Sequence, residues 1–125
     1  MIRFTVRGLP APQGSKRHVG GGRMVEMSRK VGPWRDAVRT ETQRAVEAPM
    51  TGPVTVLLEF WLPRPASAPK RVILPAKRPD LDKLVRSTLD GLTAGGAWKD
   101  DAQVVRLTAV KRFGIPGCTI ALEEL

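Results

Sequence analysis

The chain has 125 residues, with 21 Lys and Arg against 12 Asp and Glu, and therefore a formal net charge of +9. This length fits a single domain over residues 1–125 with one modest core. The excess of cations favours a polyanionic partner or an anionic membrane surface. One cysteine and one histidine cannot form an internal disulfide or a Cys/His zinc site within one chain. Since the chain has no long apolar run and no apolar leader, we expect neither secretion nor a membrane span.

The first part of the chain predicts a strand, a long irregular segment and a helix. Residues 1–8 alternate between apolar and polar side chains, as strands do. The glycines and prolines that follow predict an irregular, basic segment, which carries Lys16, Arg17 and Arg23. Pro33 suits the first turn of a helix that continues to about residue 48.

The middle of the chain predicts a central strand, a basic loop and a second helix. Residues 53–62 are rich in β-branched and aromatic side chains, which is typical of a buried strand. Residues 63–79 combine prolines with Lys and Arg and contain no acid, which predicts an extended loop near the substrate. Asp80 is a suitable N-cap for a helix whose leucines recur at helical spacing until Gly95-Gly96.

The last part predicts a strand over residues 102–113, a hairpin turn at residues 114–117 and a final strand over residues 118–122. The apolar alternation around Cys118 indicates a structural thiol. We expect an α/β (α+β) fold with a small mixed β-sheet and two helices packed on one face. Of the tryptophans, we expect Trp61 in the core, Trp34 between helix and sheet, and Trp98 at the candidate site.

Acidic residues gather at two points of this basic chain. Arg78-Pro79-Asp80-Leu81-Asp82 places two carboxylates at a helix start, and Asp100-Asp101 follows the helix. Neighbouring carboxylates repel unless a cation compensates them, and carboxylate oxygens are ligands that Mg²⁺ prefers. This pattern predicts a metal-dependent enzyme that acts on nucleic acid, with Mg²⁺ as cofactor and Mn²⁺ as a possible substitute.

Each of these signals also has a structural interpretation. Acids in a first helical turn stabilise the helix dipole. Arg86 lies one turn after Asp82, so it can bind the scissile phosphate or form a surface ion pair with that aspartate. Basic side chains are commonly just a solvated face. On pattern alone these alternatives remain open.

Three segments together resemble the RusA family of Holliday-junction resolvases. They are Arg78-Pro79-Asp80-Leu81-Asp82-Lys83-Leu84, then Leu89-Asp90-Gly91-Leu92, then Trp98-Lys99-Asp100-Asp101-Ala102-Gln103 with the later Lys111. Gly8-Leu9-Pro10, Gln13-Gly14-Ser15-Lys16-Arg17 and Pro63-Arg64-Pro65 also fit, so the likeness spans nearly the whole chain.

The resemblance implies a homodimeric, Mg²⁺-dependent endodeoxyribonuclease that nicks four-way junctions symmetrically, in the cytoplasm of a bacterial or phage-infected cell. Asp80, Asp82 and Asp101 would be the metal-binding catalytic acids, and Arg86 would stand where the family has a catalytic lysine. Lys83 replaces the usual asparagine. The residues that we expect to contact DNA are Lys16, Arg17, Arg23, Lys70, Arg71, Lys77, Arg78 and Lys83.

Two other functions remain open on the sequence. The chain could be a non-catalytic nucleic-acid-binding or DNA-packaging-associated protein whose acids only cap a helix. It could also be a nuclease for branched DNA without strict four-way selectivity.

Overall fold

The computed structural model describes residues 1–14, 16–19, 23–26 and 29–125, and for residues 16–19 and 23–26 it describes the backbone only. The described elements follow the predicted order closely. They are β1 (Ile2–Arg7), β2 (Lys16–Val19), β3 (Arg23–Glu26), α1 (Val31–Ala45), β4 (Val54–Leu62), α2 (Leu81–Ala94), a 3₁₀ turn (Asp101–Gln103), β5 (Val104–Phe113) and β6 (Gly117–Glu124).

A four-stranded mixed sheet in the order β1-β6-β4-β5 forms the centre of the fold. β4 runs parallel to β5 and antiparallel to β6, and its residues alternate strictly between buried and half-buried. Such alternation places one face of a strand in the core. The predicted α+β fold, with α1 and α2 packed together against the sheet, is therefore confirmed.

The predicted hairpin between the last two strands is wrong. β5 and β6 do not pair with each other, because β4 lies between them. The link at residues 114–116 passes across the end of β4, where the Gly114 amide donates to the Leu62 carbonyl at 2.9 Å. Strands lie about 4.8 Å apart, so three extended residues suffice to cross one strand. The same turn residues suit a hairpin and a link that crosses a strand, so local turn signals cannot distinguish these two connections.

The predicted irregular segment after β1 contains an antiparallel pair, since β2 and β3 align Lys16 with Glu26 and Val19 with Arg23. Sequence analysis missed these strands because glycines and cations dominate the segment and hide the alternation. The predicted DNA contacts of Lys16, Arg17 and Arg23 lie outside the residues whose side chains are described.

Two small residues let the helices approach closely. A Cβ atom added to Gly91 would lie 2.7 Å from Val38 Cβ, and one added to Gly95 would lie 2.5 Å from Thr42 Cβ. The Trp34 indole crosses the same contact and donates to the Thr88 hydroxyl of α2 at 3.1 Å.

Two of the three tryptophans differ from the prediction. Trp98 is only 2 % exposed and donates to the Thr93 hydroxyl at 2.7 Å, so it belongs to the core and not to the site. Trp61 is half-buried on the sheet face opposite the helices, because β4 turns alternate side chains outward. Trp34 is buried as expected, but its polar partner is on the neighbouring helix.

Candidate active site

Asp80 occupies the N-cap position of α2 without acting as a cap. Its backbone is extended and its side chain makes no capping hydrogen bond. The carboxylate is half exposed, and one oxygen lies 3.5 Å from Lys83 Nζ. An N-cap aspartate normally accepts from the backbone of the first turn. The N-cap role therefore does not account for the side chain of Asp80, whereas stabilisation of the helix dipole requires no hydrogen bond.

Asp82 and Arg86 are exposed on the first two turns of α2. Among the ion pairs of the described residues, none joins these two side chains, although they are spaced for one. Such surface pairs contribute little free energy, so nothing holds the guanidinium on the carboxylate. Both groups are available to a ligand.

Lys111 fixes the chain directly before Asp80. Its ammonium donates to the carbonyls of Lys77 and Pro79, each at 2.9 Å. Lys111 pairs in register with buried Phe60, so it lies on the core-facing side of β5. The available signal was a lysine in the apolar phase of a strand, which marks a cation with a specific partner.

The N-terminal loop braces the start of α2 from the other side. The backbone amide of Gln13 donates to the Lys83 carbonyl at 3.0 Å, and Ser87 Oγ donates to the Ala11 carbonyl at 2.6 Å. Arg35 of α1 donates to the Gln13 side chain at 3.1 Å. Asp80 and Asp82 are thus positioned by β5, by α1 and by the loop after β1.

In the second acidic pair, Asp100 has a structural role, whereas Asp101 is available to a ligand. The Asp100 carboxylate accepts from the Ala102 amide at 2.8 Å, and Gln103 completes a capping box around the 3₁₀ turn. The side-chain amide of Gln103 also donates to the carbonyls of Met50 and Gly52, which anchors the turn to the segment just before β4. Asp101 is exposed, and no hydrogen bond or ion pair engages its carboxylate within the described residues.

One chain does not bring the predicted acids together. Asp80 precedes α2 and Asp101 follows it, and a helix of 14 residues is about 20 Å long. Consistent with this separation, no cluster of three or more His, Cys, Asp or Glu side chains suited to a metal exists in the described ranges. Residues 80–82 and residue 101 lie at opposite ends of the parallel strands β4 and β5.

The basic loop is exposed and held in a defined shape. Arg64 donates to the carbonyls of Pro69 and Val72, and its guanidinium lies 5.1 Å from the centroid of the Phe113 ring. Four cations of this loop that we expect to contact DNA are exposed: Lys70, Arg71, Lys77 and Arg78.

Cys118 is fully buried in β6, as its alternation predicts. Burial raises the pKa of its thiol. The thiolate needed of a nucleophile is therefore disfavoured, and the cysteine belongs to the core.

A basic surface and two sets of exposed carboxylates on a small mixed sheet fit an enzyme that acts on nucleic acid. The family described as Endodeoxyribonuclease RusA matches residues 7–123. The chain belongs to this family, and it is an endodeoxyribonuclease. No curated protein matches the chain significantly. Neither helix in the described part combines the length and apolarity that a membrane crossing requires.

Proposed function

We propose that the chain is a homodimeric Holliday-junction resolvase that nicks four-way DNA symmetrically, with residues 1–125 as its single catalytic domain. The observation that carries this proposal is the pair of acids, Asp80 and Asp82, on a braced helix start beside an exposed cationic loop. Phosphate contacts from that loop supply affinity without base sequence. We expect the enzyme to act in the cytoplasm of a bacterial or phage-infected cell, where its substrate lies.

The separation of the acids within one chain supports a composite site. In a two-fold dimer, the end of one protomer's α2 can lie beside the start of the partner's α2. Each site would then combine Asp80 and Asp82 of one protomer with the partner's Asp101. A four-way junction presents paired strands, and a two-fold dimer offers two equivalent sites for them.

The surface beside α2 fits this dimer. β5 is an edge strand among the described residues, and its Val105 and Leu107 are 62 % and 40 % exposed. An apolar edge strand pairs readily with another chain. An interface there would place the two copies of α2 side by side.

The residues present fit a divalent cation, because the three carboxylates are exposed and none serves as a helix cap. Asp80, Asp82 and the partner's Asp101 would hold Mg²⁺, or Mn²⁺ in its place. Such an ion, when bound, would lower the pKa of a water molecule and polarise the scissile phosphate. Arg86 stabilises charge that develops on the scissile phosphate without donating its proton, since guanidinium remains protonated.

Charge removal at one acid tests the metal site. Asp82→Asn keeps the shape of the side chain, so we expect the rate of junction cleavage to fall on the order of 10²-fold or more while binding of the junction persists. Titration calorimetry with Mg²⁺ or Mn²⁺ alone should show weaker binding by the variant. Wild-type cleavage and metal affinity in Asp82→Asn would remove this residue from the site.

Mixing two inactive variants tests the composite arrangement. A heterodimer of Asp82→Asn and Asp101→Asn has one site with both substitutions and one intact site. After subunit exchange, about one quarter of the sites should therefore be active. Sites built within single chains would leave the mixture as inactive as its components, and Asp80→Asn mixed with Asp82→Asn provides the matched negative control.

The sequence alone also left open a non-catalytic DNA-binding protein, which the membership of an endodeoxyribonuclease family argues against. That alternative predicts junction binding with no cleavage in either metal. A nuclease for branched DNA without four-way selectivity predicts equal cutting of three-way and four-way substrates. Labelled synthetic junctions of both kinds, with Mg²⁺ and with chelator, distinguish the three functions.

A further inference from the structure

A cavity of about 560 Å³ opens beside the first part of the proposed site. It lies between the loop after β1 and the basic loop, and its wall ends at Pro79, the residue before Asp80. Its lining is mainly proline and aliphatic, with Pro10, Pro75, Leu62 and Phe113 among its members. Its volume is within the range of about 300–1,000 Å³ that is typical of small-ligand sites.

The hydrogen bonds of Arg64 and Lys111 described above fix part of the wall of this cavity. Arg64 closes the stretch from Pro69 to Val72, and Lys111 binds the carbonyls of Lys77 and Pro79. A preformed wall lowers the entropic cost of binding a ligand.

The charges around the cavity specify what it fits. Lys30, Lys77 and Arg78 contribute to its lining, and no acidic residue does so among the described residues. An apolar lining that also contains cations is complementary to a ligand with an apolar body and an attached anion. A nucleotide of a DNA strand has this composition, because its base is joined to phosphates.

We propose that the cavity receives an unstacked nucleobase next to the scissile phosphate. This inference rests on the proposed function, since it places that phosphate at Asp80 and Asp82. Removing a base from its stack costs least where stacking is already interrupted. A branch point is such a place, so occupancy of the cavity favours branched DNA over a continuous duplex.

Fluorescence of 2-aminopurine in the junction tests this proposal. The analogue replaces each nucleotide flanking the cut, and binding is measured with the Asp82→Asn protein in chelator. We expect fluorescence at one position to rise several-fold, because an unstacked analogue is quenched less in a lining of mainly proline and aliphatic groups than between stacked bases.

A matched pair of substitutions in one loop assigns the signal to the cavity. Ala68 lines the cavity and Ala66 is exposed without lining it. Ala68→Phe should abolish the rise and, in the otherwise wild-type enzyme, slow cleavage by on the order of tenfold or more. Ala66→Phe should retain both properties. Ala76→Phe, from another part of the lining, should repeat the loss if Ala68→Phe does not fold.

The outcomes separate this proposal from the function on which it rests. Normal junction cleavage with no fluorescence rise at any flanking position would overturn the base pocket alone. A rise without cleavage by the wild-type enzyme would support the pocket and overturn the resolvase function. If Ala68→Phe changed only the oligomeric state, the occupant would be a second copy, and the proposal would be wrong. A full rise in both Ala68→Phe and Ala76→Phe would equally contradict it.

Discussion

Arg86 lies on α2, one turn beyond Asp82. Among the described residues, no ion pair engages its guanidinium, whereas Lys83 on the same helix is paired with Asp80. We expect Arg86→Ala to lose on the order of 10²-fold or more in cleavage rate, because a preorganised donor to the transition state is removed. Arg86→Lys should retain substantial activity, since lysine keeps the charge. The measurement is single-turnover cleavage of a four-way junction by the three proteins.

The exposure of Arg86 also provides the control for that experiment. A surface side chain without partners contributes little to the free energy of unfolding. Thermal unfolding of Arg86→Ala should therefore match that of the wild type. If the alanine variant cuts as fast as the wild type, the site must be rebuilt from the acids alone.

At the scale of elements, Gly91 controls how closely α1 and α2 pack. Alanine favours helix over glycine by about 1 kcal/mol, but a Cβ atom here meets Val38 and the Arg35 carbonyl, which cannot swing aside. Overpacking costs about 1–3 kcal/mol. We expect Gly91→Ala to lower the free energy of unfolding, as measured by urea denaturation.

Gly32 provides the matched control, because a Cβ atom there has nothing within 4 Å. Gly32→Ala on α1 should be neutral or stabilise by up to about 1 kcal/mol. Equal destabilisation by both substitutions would show that helix contact is not the cause.

Most elements follow from local pattern, and the exceptions share a physical reason. The alternation of β4 and the leucine spacing of α2 are local signals, so their existence and approximate bounds could be predicted. The placement of β4 between β5 and β6 depends on pairing between distant segments, which no local signal encodes. The same holds for burial of Trp98, whose backbone forms a parallel bridge with the distant Met50.

The candidate site was partly predictable for similar reasons. Residue types and spacing single out Asp80, Asp82 and Asp101 as candidates, whereas their relative positions depend on the three-dimensional fold. The length of α2 is readable from its sequence, and about 1.5 Å per residue already separates its two ends. The support from Lys111 could not be predicted in detail, because it joins side chain to backbone across 32 residues.

At the scale of the whole molecule, the net charge of +9 governs how it meets DNA. Affinity should fall linearly with salt on logarithmic axes, with a slope of about 0.9 per neutralised phosphate on duplex arms. We expect replacement of Lys77 and Arg78 by Gln to flatten that slope. Fluorescence anisotropy of labelled junction over a salt series provides the measurement.

Arg39 and Arg44 on α1 offer a control with the same loss of charge. Both lie on α1 and not in the basic loop, so the proposal assigns neither of them a phosphate contact. Their replacement by Gln should leave the slope near that of the wild type. If both double variants change the slope equally, only overall charge matters and the basic loop has no special role.

The burial of the Cys118 thiol affects how the activity of this enzyme responds to oxidative stress. Peroxide attacks thiolates that solvent can reach, and this chain's only cysteine is neither exposed nor readily ionised. Peroxide damages DNA and inactivates many enzymes through their cysteines. Cysteine oxidation therefore gives an oxidant no route to disable this nuclease while its fold is intact.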